Sequence, residues 1–238
     1  MFEIKKGWPL HENEEVVIIG LYDHPEMFQQ PEWEETENLT DQLKDLLRNG
    51  DLPRSKGHIT ALFTLGLVPA KRLLFVGLEK KKEMTLESLR EALGKAFQTV
   101  QKMRLRTASI LLDTFTDGKH GEEEVAEILG EVFALSLYQF PGYKKSKNLP
   151  EIEVEKVRVY TSTGDSDLEE ILHYGYIFGR ATNSARTLVN TPHNLLTATD
   201  LAEYAEKLAE KYGFEKEILD KEDMEKLGMG ALLAVNQG

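Results

Sequence analysis

A chain of 238 residues can hold one large domain or two modest ones and bury a hydrophobic core without staples. Its 41% apolar and 29% charged residues fit a soluble globular protein, and the absence of cysteine excludes a disulfide framework, a thiolate zinc site and a cysteine nucleophile. With 41 acidic against 29 basic residues the formal charge of −12 repels phosphate backbones, no window reaches the roughly 18 to 20 apolar residues of a membrane helix, and the N-terminus lacks a signal-peptide core; the expectation is a cytoplasmic protein with neither nucleic-acid nor membrane partners.

In chain order, Trp8-Pro9 and the stretch before it read as a lead-in strand or loop, and Glu15-Val-Val-Ile-Ile-Gly-Leu21 as a strand covered on both faces. Asp23-His24-Pro25 and Pro31 break the pattern. Asn38 is placed to cap a helix through Asp41 to Arg48 that stops at Asn49-Gly50. Ile59 to Leu65 and Arg72 to Leu78 are two strands whose connection is too short for a crossover helix, so they pair antiparallel and the sheet is mixed. Thr85 caps a helix to about Met103, Thr107 to Asp113 is a strand, Glu122 to about Tyr138 is a helix with an acidic first turn, and Val154 to Tyr160 alternates as a strand. This alternation calls for a sheet layered by helices.

Ser166-Asp-Leu-Glu169 has capping-box spacing, and from Leu168 apolar residues recur at helical spacing to Asn190, where Thr191-Pro192 stops the helix. About 24 residues at ~1.5 Å each give a rod of roughly 36 Å, the dimension of an inter-domain connector. Gly179, Ala181, Ser184 and Ala185 make the second half of its stripe small, which permits close approach of another element. Thr197-Ala-Thr-Asp200 restarts a helix to Tyr212-Gly213, Phe214 to Leu219 reads as a strand, and Asp220 caps a short helix to Leu227. An apolar segment from Gly228 to Val235 follows.

The residues taken alone offer no active site. The histidines at 11, 24, 58, 120, 173 and 193 have no metal-ligand spacing, and His11-Glu12-Asn-Glu-Glu15 lacks the second histidine of a zincin helix, which leaves an acidic surface loop. His173 reads as a packed or partly exposed helix residue. Lys80-Lys81-Lys82 and Lys144-Lys145-Ser-Lys147 read as solvated loop charges, Glu34-Glu35 and Glu122-Glu-Glu124 as solvated acids, and Gly228-Met-Gly230 as a helix stop. No nucleophile elbow, P-loop or dinucleotide fingerprint occurs.

Ala185-Arg-Thr-Leu-Val-Asn-Thr-Pro-His-Asn-Leu-Leu-Thr197, Leu201-Ala-Glu-Tyr-Ala205 and Lys226-Leu-Gly-Met-Gly-Ala-Leu-Leu-Ala-Val-Asn-Gln-Gly238 resemble the two-metal leucyl aminopeptidases, the cytosol aminopeptidase family, in order and spacing. Ala70 to Leu78 resembles a strand of the family's N-terminal domain; Asn236 departs from an expected glycine. The resemblance implies a three-layer α/β/α macro-domain-like mixed sheet over 1–164, a linker helix over 165–191 and a truncated peptidase-domain start over 192–238. It also implies that the parent removes N-terminal amino acids, leucine preferred, from peptides with two divalent metals, manganese or zinc, as a hexamer. Because residues 185–238 resemble part of a longer domain, the small-residue stripe and Ala231-Leu-Leu-Ala-Val235 would be without their natural cover, and residues past about Asn190 are expected to be poorly packed or buried against a neighbouring chain. The family's metal-binding strings, a Lys-containing segment ending Phe-Asp-Ser-Gly-Gly and Asn-Thr-Asp-Ala-Glu-Gly-Arg, are absent here, and Pro192 in Asn190-Thr-Pro-His stands where the second string has its aspartate. No catalytic, metal or substrate-binding residue and no bound metal are therefore expected in this chain, whose role would be positioning and oligomerisation. The alternatives from other classes are a macro-like module for ADP-ribose or a related nucleotide, and a non-catalytic scaffold.

Overall fold

The computed structural model describes residues 1–22, 28, 33, 36–53, 55–140, 142 and 153–235. Cα packing divides the chain into two compact units, Met1–Ala185 and Arg186–Gly238.

The first unit is built on a six-stranded sheet. Its strands are β1 (Phe2–Lys6), β2 (Val17–Leu21), β3 (Ile59–Phe63), β4 (Arg72–Gly77), β5 (Thr107–Leu111) and β6 (Lys156–Thr161), in the spatial order β1-β6-β5-β2-β4-β3. Only the β3–β4 pair is antiparallel, as the short connection requires. The helices are α1 (Glu37–Asn49), α2 (Leu86–Lys102), α3 (Glu122–Ser136) and α4 (Asp167–Asn190), the last running past the unit boundary. Ile18, Leu74, Val76, Ile110, Val157 and Val159 point to one face and pack with α2, α3 and the first turns of α4. Alternate residues Val17, Ile19, Leu21, Leu73 and Phe75 point to the other and pack with α1, Leu10 and Trp33. The period of two thus fixes a layer on each face of the sheet.

Local chemistry explains most boundaries. Thr85 accepts from the Ser88 N–H at 3.1 Å and starts α2. Gly50, at φ 82°, closes α1 in the left-handed conformation that a Cβ disfavours. Asn38 is not the cap: α1 begins at Glu37 behind Thr36, and Asn38 lies inside the first turn. The strand expected to reach Asp113 ends at Leu111, where Leu112–Phe115 winds into a 3-10 turn. The start of α4 also differs from the Ser166 box. The Asp167 N–H binds the Asp165 carboxylate at 3.0 Å and the Glu169 N–H binds the Ser166 carbonyl at 3.1 Å.

Helices α3 and α4 meet backbone to backbone. A Cβ on Gly130 would sit 2.0 Å from the Leu172 carbonyl oxygen, one on Gly175 2.0 Å from that of Glu127, and one on Gly179 2.5 Å from that of Glu131. Asn183 extends the seam by donating its amide to the Ala134 carbonyl at 2.8 Å. The small-residue stripe expected on α4 is therefore used, but by Gly175 and Gly179 against a helix of its own unit, while Ala181, Ser184 and Ala185 are exposed.

The second unit contains α5 (Ala198–Tyr212), α6 (Lys221–Lys226) and α7 (Gly230–Val235). Thr197 and Asp200 form a reciprocal box at the start of α5, and Asp220 caps α6. Phe214–Leu219 is not a strand. It has no regular secondary structure and pairs with no strand among the described residues, and Phe214 and Ile218 are exposed. Ala209 is the one buried apolar residue among the described residues of this unit, and Leu195, Leu201, Tyr212, Leu227 and Leu232 stay in solvent. The expectation beyond Asn190 is poor packing or burial against a neighbouring chain, and the exposure of these side chains within the chain itself agrees with either outcome.

Candidate functional site

In an open α/β sheet, ligands bind where the strand order reverses, beyond the carboxyl ends of the strands. Here the chain leaves β2 toward β4 on one side and returns through α2 to β5 on the other, so the reversal lies between β2 and β5. That crevice is filled by the chain itself. The Gly20 N–H donates to Thr114 Oγ1 at 2.8 Å, and Thr114 Oγ1 donates to the Leu111 carbonyl at 2.6 Å. A Cβ on Gly20 would lie 2.6 Å from the Thr114 carbonyl oxygen, so only glycine admits the turn this close. The buried Tyr22 hydroxyl donates to the Phe115 carbonyl at 3.1 Å, with Leu112 and Phe115 buried beneath. Burial, and then the Asp117 charge, push the Tyr22 phenol far above its ordinary range, so it stays a donor.

Carboxylates surround the plug. Asp113 accepts from the Ser162 N–H at 2.9 Å, and its other oxygen is buried without a partner. Burial first, and Glu122 next to it, raise its pKa against the Ser162 bond that lowers it. Glu122 accepts from Thr163 Oγ1 at 2.8 Å and Thr161 Oγ1 at 3.3 Å. Asp117, almost wholly buried, binds His120 Nδ1 at 2.8 Å and the backbone N–H groups of Lys119 and His120. Burial opposes its charge, but these bonds outweigh it and lower its pKa. Among the described residues this crevice presents the Asp113 carboxyl and a Gly20 N–H already donated to Thr114, not a set of open N–H donors for a phosphate.

Metal chemistry fails the same test. Among the described residues no three of His, Asp and Glu converge on one point, and the Glu122 carboxyl and one oxygen of Asp113 are engaged by their own chain. The described residues by themselves do not assemble a two-metal centre. A groove of about 340 Å³ between α3 and α4 is lined by Glu123, Glu124, Glu127, Glu170, Ile171 and Tyr174, and these acids include the solvated helix start read from the sequence.

The structure distributes the other sequence candidates. His11 sits in the 3-10 turn Pro9–His11, His58 and His193 are exposed, and His173 is exposed and stacks on Tyr176 at 6.3 Å. Among the described histidines, His120 alone is buried. Lys80 to Lys82 are exposed, with Lys81 Nζ 5.4 Å over the Tyr22 ring. Gly228 ends α6 at φ 71°. His24, Glu34-Glu35, the run Lys144-Lys145-Ser-Lys147 and Asn236 lie outside the described residues.

One reading is corrected. His11 to Glu15 is not simply an acidic surface loop, because Glu14 is buried and holds the sheet together. It accepts from Arg158 Nη1 at 2.6 Å and the Tyr160 hydroxyl at 2.7 Å, while Arg158 Nε also reaches Glu3 at 3.3 Å. Burial disfavours the Arg158 charge, but Glu14 and Glu3 raise its pKa. Neighbouring Glu15 accepts from Thr107 through both N–H and hydroxyl. The signal that could have found this cluster is the alternation Lys156, Arg158, Tyr160 along β6, which puts polar residues on the face that elsewhere is apolar.

The fold thus comprises an α/β sheet unit, the long helix α4 and a second, helical unit, with no cluster of three metal-ligating side chains among the described residues. Residues 18–147 match the cytosol aminopeptidase family, N-terminal domain, and residues 183–238 match the cytosol aminopeptidase family, catalytic domain. The chain belongs to the cytosol aminopeptidase family. Among solved structures, it is similar to a tomato leucine aminopeptidase variant (TM-score 0.77, 19% identity, 95% of this chain and 46% of that one). It is also similar to the bottromycin maturation enzyme BotP (TM-score 0.68, 21% identity, 90% of this chain and 41% of that one), which has been solved in complex with Mn as well. The chain therefore spans less than half the length of these solved relatives.

Proposed function

We propose that this chain is the non-catalytic, N-terminal part of a metallo-aminopeptidase that removes N-terminal residues, leucine preferred, from peptides in the cytoplasm, and that its role is to position and assemble the peptidase half. The supporting observation is the second unit, whose helices are formed and capped while their apolar side chains lack cover. Such a surface belongs against the rest of a peptidase domain. In the whole enzyme two divalent ions, manganese or zinc, would polarise the scissile carbonyl and activate water. Their ligands would come from outside these 238 residues, and assembly would be hexameric.

The test is hydrolysis of leucine p-nitroanilide with added manganese or zinc. The chain alone is expected to give none. Fused to the metal-binding remainder of a cytosol aminopeptidase catalytic domain, it is expected to give turnover. Activity of the chain alone would place the catalytic groups within it, and an inert but folded fusion would remove the positioning role.

A further inference from the structure

The two edges of the sheet are built differently. An open edge offers a row of unpaired backbone groups, and charged residues there discourage pairing with another chain. β1, at one edge, carries Glu3, Lys5 and Lys6 within five residues. β3, at the other, reads Ile59-Thr-Ala-Leu-Phe63, with no charge and no proline in a molecule whose formal charge is −12. From this difference we infer that β3 is a self-association edge, pairing antiparallel with β3 of a second copy of this chain about a two-fold axis at Ala61.

The hydrogen-bond parity supports that pairing. The Thr64 N–H binds the Lys71 carbonyl at 3.2 Å and the Gly77 N–H binds the His58 carbonyl at 2.8 Å. With the register Ile59↔Val76 to Phe63↔Arg72, the even-numbered residues of β3 direct their backbone groups toward β4. Ile59, Ala61 and Phe63 then direct theirs outward, and among the described residues no strand lies beyond them. About a two-fold through Ala61, Ile59 of each copy stands opposite Phe63 of the other and Ala61 opposite itself, forming about six backbone hydrogen bonds. The side chains agree, because an aromatic opposite a β-branched residue is a favoured cross-strand pair and alanine leaves the axis unobstructed. Phe63 is 67% exposed and braced by the Arg72 guanidinium 5.1 Å over its ring. Leu65, 91% exposed at φ 51°, extends the apolar surface at the hairpin tip. A strand pair this short makes a weak, concentration-dependent dimer. The second copy is favoured over another protein's strand because the same uncharged segment meets itself in matched register.

The chain has no cysteine, so a single introduced thiol reports the geometry directly. Residues opposite each other in a hydrogen-bonded antiparallel pair have Cα atoms about 5.5 Å apart, within disulfide range. Ala61→Cys is expected to form a disulfide-linked dimer under mild oxidation, and Lys5→Cys, on the charged edge, to remain monomeric. In sedimentation equilibrium, Ala61→Lys is expected to raise the dissociation constant of the dimer roughly tenfold or more, by opposing two ammonium groups on the axis, with circular dichroism and melting temperature unchanged. A wild-type chain that stays monomeric at every concentration tested overturns the inference. So does equal cross-linking of the two cysteine variants, or an Ala61→Lys variant that folds and still dimerises with unchanged affinity. If a heterologous peptide protects β3 amides from exchange while the chain alone stays monomeric, the edge takes a foreign strand and self-pairing is wrong.

Discussion

Met1–Ala185 and Arg186–Gly238 use the same local chemistry and end in different states. Both have capped helices: Thr85 opens α2 in the first, and Thr197 and Asp220 open α5 and α6 in the second. The first buries apolar clusters on both faces of its sheet, whereas the second buries Ala209 among its described residues. Caps and helical spacing are satisfied within a few residues, while a core needs apolar faces supplied from distant chain. Secondary structure in the second unit therefore says little about its stability.

The largest expected effect tests whether the first unit is held by its buried polar network as well as by its core. Glu14→Ala leaves Arg158 with only Glu3 and removes the acceptor of the Tyr160 hydroxyl. Breaking a buried ion pair on one side costs about 3–5 kcal/mol, and the low end applies because the Arg158 side chain is 24% exposed. Urea unfolding of the variant checks it. A loss below about 1 kcal/mol would mean that the cluster is solvated like a surface pair.

The α3–α4 seam comes next. Alanine in a helix interior is ordinarily favoured over glycine by about 1 kcal/mol. At Gly130 and Gly175 the sign should reverse, because the new Cβ meets a carbonyl oxygen at 2.0 Å and the helices must separate. Overpacking of this kind costs about 1–3 kcal/mol, read as a lower melting temperature. Stabilisation by Gly175→Ala would show that the helices are not this close.

In the second unit the order of importance should invert. Thr197→Ala removes a reciprocal cap and should cost about 1 kcal/mol of local helix stability, read from amide exchange in α5. Leu201→Ala removes a side chain already 46% exposed and should cost under about 0.5 kcal/mol. A larger loss at Leu201 than at Thr197 would mean that the unit has a core of its own.

Much of this was legible in the sequence. The buried run of β2, the antiparallel β3–β4 pair, the Thr85 and Asp220 caps and the stop at Asn190-Thr-Pro192 are local signals, and the structure contains each of them. Longer-range features were not. Gly130 looks like an ordinary helix glycine until α4 lies against it. Glu14 looks solvated until Arg158 and Tyr160, far along the chain, arrive beside it. The run Phe214 to Leu219 has strand composition, but a strand exists only with a neighbour. The plug between β2 and β5 also depends on contact across the sheet, since nothing in Thr114 by itself marks it as the acceptor of the Gly20 N–H.

The smallest effect lies at that plug, within the closed unit, and it is a dependence on pH. Burial and Glu122 raise the folded pKa of Asp113, so the fold favours its neutral form. Stability from protonating it is complete below the unfolded carboxylate pKa of about 3.9 and is lost as pH rises through the raised folded value. At neutral pH the charged carboxylate is therefore held at a cost. Asp113→Asn keeps an oxygen for the Ser162 N–H and removes the charge beside Glu122. The variant should be more stable than the parent at neutral pH, and the gain should fade as pH falls toward that carboxylate value. Thermal melts of both proteins across this range check it. A gain independent of pH would trace to packing rather than charge, and a loss at neutral pH would show that the Asp113 carboxylate is needed to hold the plug.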